Sequence, residues 1–166
     1  VGDPDHFRTV REKNDSWNYE LSGDYQFGLG PGKLKLIGLR RFSHEPYSQE
    51  IVTRFADATP PEGDRFAQRG NLGETIARGE YQWKMLGGDW ELSGEAAFNT
   101  LDNVASIAAL ENGVFVDIPF PGGTGGVSED RYEGLLSFGR KLTNKLSFQI
   151  VAGAEHSTIT QTGVNG

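Results

Sequence analysis

The stretch Ser16-Trp17-Asn18-Tyr19-Glu20-Leu21-Ser22-Gly23-Asp24-Tyr25-Gln26-Phe27 decides the fold class. Its odd positions read Trp17, Tyr19, Leu21, Gly23, Tyr25 and Phe27, and its even positions read Ser16, Asn18, Glu20, Ser22, Asp24 and Gln26. On a helix each face would mix the two sets. On a strand successive side chains point to opposite sides, so the sets separate. The segment is a two-faced strand.

Working outward, Gly30-Pro31-Gly32 supplies a tight turn, with free φ at both glycines and a fixed φ between them. Lys33 to Phe42 returns with Leu34 and Leu36 on one face but Ile37 and Leu39 on the other, which predicts a bulge near Gly38. A second hairpin runs from Glu74 to Met85, turns through Leu86-Gly87-Gly88-Asp89 and returns from Trp90 to Asn99. Tyr81, Trp83, Trp90 and Phe98 share one side of it; Glu74, Arg78, Glu80, Gln82, Glu91 and Glu95 share the other. A third hairpin spans Tyr132 to Arg140, turns near Leu142-Thr143-Asn144, and returns from Leu146 to about Thr158 with Phe148 and Ile150 on one side. The expected fold is therefore all-β, an antiparallel up-and-down meander of about six strands in three hairpins.

Between the hairpins the pattern lapses. Ser43 to Gly73 contains Thr59-Pro60-Pro61-Glu62-Gly63, and Leu101 to Asp130 contains the run Pro119-Phe120-Pro121-Gly122-Gly123-Thr124-Gly125-Gly126, so both read as long loops. Asp102 to Asn112 could form a short helix within the second, closed by Gly113. The expected organisation is an outer loop at 1–15, a first hairpin at 16–42 and a long loop at 43–73. A second hairpin at 74–99, a long loop at 101–130, a third hairpin at 131–158 and an outer loop at 159–166 complete it.

The composition narrows the class of function. The chain has 166 residues, a formal charge of -7, no cysteine, 23 glycines and 36% hydrophobic residues. Without Cys there is no disulfide framework, thiolate metal site or cysteine nucleophile. The acidic balance argues against a nucleic-acid partner, which needs clustered bases. No run of eighteen apolar residues offers a transmembrane helix, but a barrel wall shows lipid only every second residue and escapes that test.

Strands of about ten to twelve residues, tight turns at one end and long loops at the other describe a large transmembrane β-barrel. On that reading Trp17, Tyr19, Tyr25, Phe27, Tyr81, Trp83, Trp90, Phe98, Tyr132, Phe138 and Phe148 face lipid or form its interfacial girdles. Glu20, Asp24, Glu74, Arg78, Glu80, Gln82, Glu91 and Glu95 face the lumen. A soluble calycin-like barrel would alternate in the same way with its apolar face inward. A small complete structural barrel of eight strands, adding Glu50 to Phe55 and Gly113 to Ile118, is a further alternative.

No catalytic constellation stands out. His6, His44 and His156 lack ligand spacing, and a site made by His6 with Asp3 and Asp5 is less expected than a solvated turn. No G-x-S-x-G elbow is present, and the Gly122 to Gly126 run lacks the lysine and helix of a phosphate cradle. Neither a cofactor nor a metal is expected, and no enzymatic activity.

The runs Trp17 to Phe27, Leu34 to Phe42, Gly73 to Arg78 and Ile118 to Gly126 resemble the barrel wall of TonB-dependent outer-membrane receptors. The resemblance implies a segment of a receptor in the outer membrane of a Gram-negative bacterium. It implies energy-coupled uptake of a scarce ligand such as an iron chelate or large nutrient. Partners would be outer-membrane lipid, the unknown ligand, and an inner-membrane energy-coupling complex reached through a plug domain not contained in this segment. The tight turns would face the periplasm and both ends would lie in outer loops. Phe55, Arg65, Phe66, Phe115 and Phe120 would be the bulky ligand candidates of the long loops. Such receptors have ~22 strands, so an isolated sector should self-associate through its bare edges.

Overall fold

The computed structural model describes residues 5–163, and it is all-β. Its strands are β1 (His6–Asn14), β2 (Trp17–Leu29), β3 (Gly32–Phe55), β4 (Glu62–Met85), β5 (Gly88–Glu111), β6 (Val114–Ile118), β7 (Thr124–Lys141) and β8 (Ser147–Thr162). All pairings are antiparallel, in the order β1-β3-β4-β5-β7-β8, with β2 also on β3 and β6 also on β5. Among the described residues the path is a single open sheet, a meander whose first and last strands each have one free edge.

Eight elements make six runs of chain. β1 and β2 lie end to end on β3, with Asn14 opposite Tyr47 and Trp17 opposite His44. The gap at Asp15 and Ser16 falls opposite Glu45 and Pro46, and Pro46 has no N–H for a ladder. Asn14 Oδ1 accepts a bond from the Ser16 N–H at 3.2 Å and stitches the gap locally. β6 and β7 share β5 in the same manner. Residues 119–123, with two prolines, loop out between the pairs Ile107–Ile118 and Val104–Thr124.

The structure corrects the long loops. Most of 43–73 and 101–130 is strand: β3, β4 and β5 each run 24 residues. Residues 6–14 form β1 and β8 continues to Thr162, so the expected outer loops at both ends are also largely strand; residues 1–4, with Asp3, and 164–166 lie outside the described range. The helix expected from Asp102 to Asn112 is instead the end of β5, and Gly113 serves a two-residue turn. No bulge occurs at Gly38, which pairs in continuous register with Gly23 and Ala77. Residues 50–55 belong to β3, and the expected extra strand near Gly113 is β6.

Turn chemistry explains the tight connections. Leu86-Gly87 and Asn112-Gly113 are two-residue loops with positive φ at both positions (55° and 72°, 51° and 82°), the type I′ geometry that matches strand twist. Leu86 is the poor fit of the four, since its Cβ meets the left-handed penalty that glycine escapes and asparagine tolerates.

The sheet has one layer and almost no core. Among the described residues only Ala97 and Ala108 are buried hydrophobics, both 1% exposed. The accessible surface is 11922 Å². A compact protein of 18.2 kDa would show roughly 8,100 Å². The excess comes from a single layer with both faces open, large apolar side chains such as Leu21 and Tyr25 among the exposed ones.

Candidate functional site

Register sorts every strand residue onto one of two faces. The first carries all eleven aromatics named above. Across its lower end run Trp83, Trp90, Phe138 and Ile150 in one row, and Phe27, Leu34, Tyr81, Leu92 and Leu136 in the next. The rings form a ladder over four strands: Tyr81–Trp83 at 5.2 Å, Trp83–Trp90 at 6.0 Å, Trp90–Phe138 at 4.5 Å and Phe138–Phe148 at 5.7 Å between centroids. Tyr81 Oη donates to the Leu29 carbonyl at 2.8 Å and Trp90 Nε1 to the Met85 carbonyl at 3.2 Å, so the polar handles tie to the turn end.

A second aromatic row lies further along. Trp17, Tyr19 and Phe42 pack at 5.3–6.4 Å, and Phe98 meets Tyr132 edge-on at 5.9 Å. Between the rows the face is mostly small: Gly79–Gly94–Gly134–Ala154 and Gly23–Gly38–Ala77–Ala96 pair directly across the strands. From Trp83 to Gly73, opposite Phe42, the belt is about ten residues, or ~33 Å along a strand. A tilt of ~45° reduces that to ~23 Å of height, close to the ~25 Å apolar band of membrane barrels.

The opposite face is charged. All eight residues expected to line a lumen lie on it. Arg41 bonds Glu20 through Nε at 2.9 Å and Nη2 at 2.7 Å, with Glu74 at 3.5 Å. Arg78 lies between Glu80 (2.8 Å) and Glu95 (3.7 Å), and Arg131 reaches Glu95 at 3.1 Å. Glu129 accepts from Asn99 and Ser157, each at 2.9 Å. Sequence reasoning did not single out Arg41, Arg131 and Glu129; their signal was their place in the same period-two series.

Exposure differs from that of a water-soluble surface. The Glu95 and Glu80 side chains are 19% and 20% exposed. Leu92 and Leu21 on the aromatic face are 51% and 72% exposed. On the charged face Glu80 and Glu95 are partly covered by their arginine partners, although Glu20 and Asp24 stay 49% and 58% exposed. On the aromatic face the bare leucines are what water penalises and a hydrocarbon layer favours.

Beyond His44 the separation of the faces is lost and both become mixed. The aromatic face turns to Lys13, Ser48, Glu50, Arg65, Arg69 and Asp102, while Tyr47, Ile51, Phe66, Ile107, Val116 and Ile118 appear on the charged face. The belt thus ends where strands still have about ten residues to run.

The five ligand candidates expected in loops are mostly on strands. Arg65 and Phe66 are in β4, Phe55 ends β3 and Phe115 is in β6; Phe120 alone stays in an irregular segment. They divide between faces. The Arg65 guanidinium lies 5.1 Å above the Phe115 ring, while Phe66 and Phe55 point to the other side, Phe66 near Tyr47 and Phe55 near His6.

The charged face carries a groove of about 510 Å³ with Leu72, Leu101, Val127 and Ile159 on its floor and Arg41, Glu74 and Glu129 at its edge. A second groove, of about 640 Å³, lies at the turn end beside Lys33, Gln82, Glu91 and Gln149. Among the described residues no group of three or more His, Asp or Glu could hold a metal ion. His44 is committed to Asn71 at 2.6 Å.

No family model matches the chain, and no curated protein does. Among solved structures, the membrane pore complex of pneumolysin aligns at 8% identity and a TM-score of 0.12. The alignment covers 96% of this chain and 32% of that one, so this chain spans about a third of its length; so low a score carries no argument.

Proposed function

We propose that this chain is a sector of the wall of a large outer-membrane β-barrel, in a receptor for energy-coupled uptake of a scarce ligand such as an iron chelate or large nutrient. One observation carries the membrane part: the exposed belt, bounded by aromatic rows on both sides and backed by an ion-paired, charged face. Hydrocarbon would cover the belt, and the charged face would line a wet lumen. The free edges support a wall that continues into further strands. β8, Ser-Phe-Gln-Ile-Val-Ala-Gly-Ala-Glu-His-Ser-Thr-Ile-Thr-Gln-Thr, has no Lys or Pro and one Glu, so nothing on it discourages pairing. Without further strands, copies of the chain would pair edge to edge. The receptor role, the plug and the energy-coupling partner rest on the resemblance of the strand sequences. A soluble carrier is less well supported, because among the described residues no second layer covers the aromatic face.

The three tryptophans test the membrane part. Trp17 lies in one aromatic row, Trp83 and Trp90 in the other. Refolded into phosphatidylcholine vesicles, all three should be quenched by bromines near the headgroups and little by bromines at the midplane. Fluorescence insensitive to either probe overturns the membrane reading.

A further inference from the structure

Charge is divided unequally between the two faces. Among paired strand residues the aromatic face has seven Lys or Arg against four Asp or Glu, and the other face has eight against fifteen. An acidic chain therefore shows an excess of bases on the side that carries the belt. Five of those seven bases lie beyond the Phe42–Gly73 row and Arg40 one row within it; Arg140 alone is at the turn end.

Arg40 and Arg69 stand out among them, because Arg54, likewise without an ion pair among the described residues, lies at the far end of β3, well past Phe42, and Arg140 is at the turn end. Arg11 already pairs with Glu50, Lys13 with Asp15 and Arg65 with Asp117. Among the described residues Arg40 has no carboxylate partner; its Nη1 donates to Thr75 Oγ1 at 2.6 Å. Its guanidinium is drawn up over Gly73, one row nearer the polar end, because a Cβ at Gly73 would stand 3.7 and 3.8 Å from its two Nη atoms. That is the posture of a cation leaving an apolar belt for its edge. Thr100 Oγ1 stands on the other side of Gly73, 2.6 Å from the same Cβ position. The missing side chain leaves an open bed between a cation and a hydroxyl. Arg69, without an ion pair among the described residues, lies four residues further along β4, ~13 Å at ~3.3 Å per residue. Asp102 leans toward Gly126 and away from Arg69, 2.8 Å from the Cβ position there.

We propose that Arg40 and Arg69 hold the phosphate groups of anionic lipid headgroups at the upper edge of the belt. The proposal rests on the membrane reading and adds the lipid class. Continuity with the belt places a headgroup layer at this height, and the unpaired guanidiniums complement its phosphates, Arg40 with the Thr100 hydroxyl beside it.

The full chain refolded into mixed vesicles of phosphatidylcholine and phosphatidylglycerol, then released for native mass spectrometry, tests it. The wild type should retain phosphatidylglycerol beyond its share of the mixture. Arg40→Gln and Arg69→Gln should each reduce that enrichment about fivefold, and Arg40→Lys should keep most of it. Retention unchanged in both Gln variants overturns the proposal. So does indifference to headgroup charge in a chain that inserts into pure phosphatidylcholine, and in that case the membrane reading survives. Failure to insert into pure phosphatidylcholine, read by tryptophan quenching, defeats both. Arg69 lies beyond the belt, so its variant reports even where Arg40→Gln impairs folding.

Discussion

An arginine scan along β5 separates a hydrocarbon belt from any other apolar surface. Ala96, Thr100 and Ser106 lie on the same face of one strand at increasing distance from Trp90. Ala96 is six residues from Trp90 and four from Thr100, so a tilt of ~45° sets it ~14 Å from the lower row and ~9 Å from the upper, near the middle of the layer. Ala96→Arg should cost about 2–4 kcal/mol, Thr100→Arg about 0–1, and Ser106→Arg nothing measurable. The measurement is reversible urea unfolding in phosphatidylcholine vesicles, followed by tryptophan emission. Equal costs at the three sites would refute the reasoning, because a face packed on protein has no depth profile. The same gradient in lipid-free buffer would refute it too, since lipid would then not be its source.

Three other expectations test the local physics. Leu86→Asn relieves a left-handed residue and should stabilise the β4–β5 hairpin by about 1 kcal/mol in the same unfolding assay. Gly88→Ala sets a Cβ against the Phe138 ring and the Gly139 carbonyl, and should cost about 1–3 kcal/mol and redshift the emission of neighbouring Trp90. In the turn between β3 and β4, the Thr59 hydroxyl and then its N–H hold the Asp57 carboxyl below its ordinary 3.8. A depressed carboxylate contributes stability above its unfolded pKa and loses it as pH falls through the folded one. The turn should therefore be indifferent to pH near neutrality and loosen only below about pH 4. Thr59→Val should return the Asp57 titration, followed by NMR of its carboxyl carbon, toward 3.8.

The parts of the fold that sequence conveyed and the parts it hid have one physical origin. Where a single face stays apolar, as in Trp17 to Phe27 or Tyr81 to Phe98, the period-two pattern located strands, hairpins and faces. It failed from Ser43 onward because the apolar residues no longer keep to one face there. In β3 they lie at 34, 36 and 42 with 37 and 39 opposite, then at 47, 51 and 55 with 52 opposite; in β5 they go from 90, 92 and 98 to both faces, 101, 105 and 107 against 104, 108 and 110. A strand whose alternation lapses resembles irregular chain, although its backbone pairs without a break. Asn112-Gly113 was a readable hairpin signal, obscured because a helix was expected to end there.

By itself, then, the sequence determined the antiparallel meander, the tight turns and the membership of the two faces in its lower half, since alternation is a local property of the strand. Tertiary structure decided what register alone can join. It made long strands of apparent loops, drew Arg41 between Glu20 and Glu74, and laid the Arg40 guanidinium over Gly73. Those placements link residues dozens of positions apart, and a pattern read along one strand holds no record of its neighbour across the sheet.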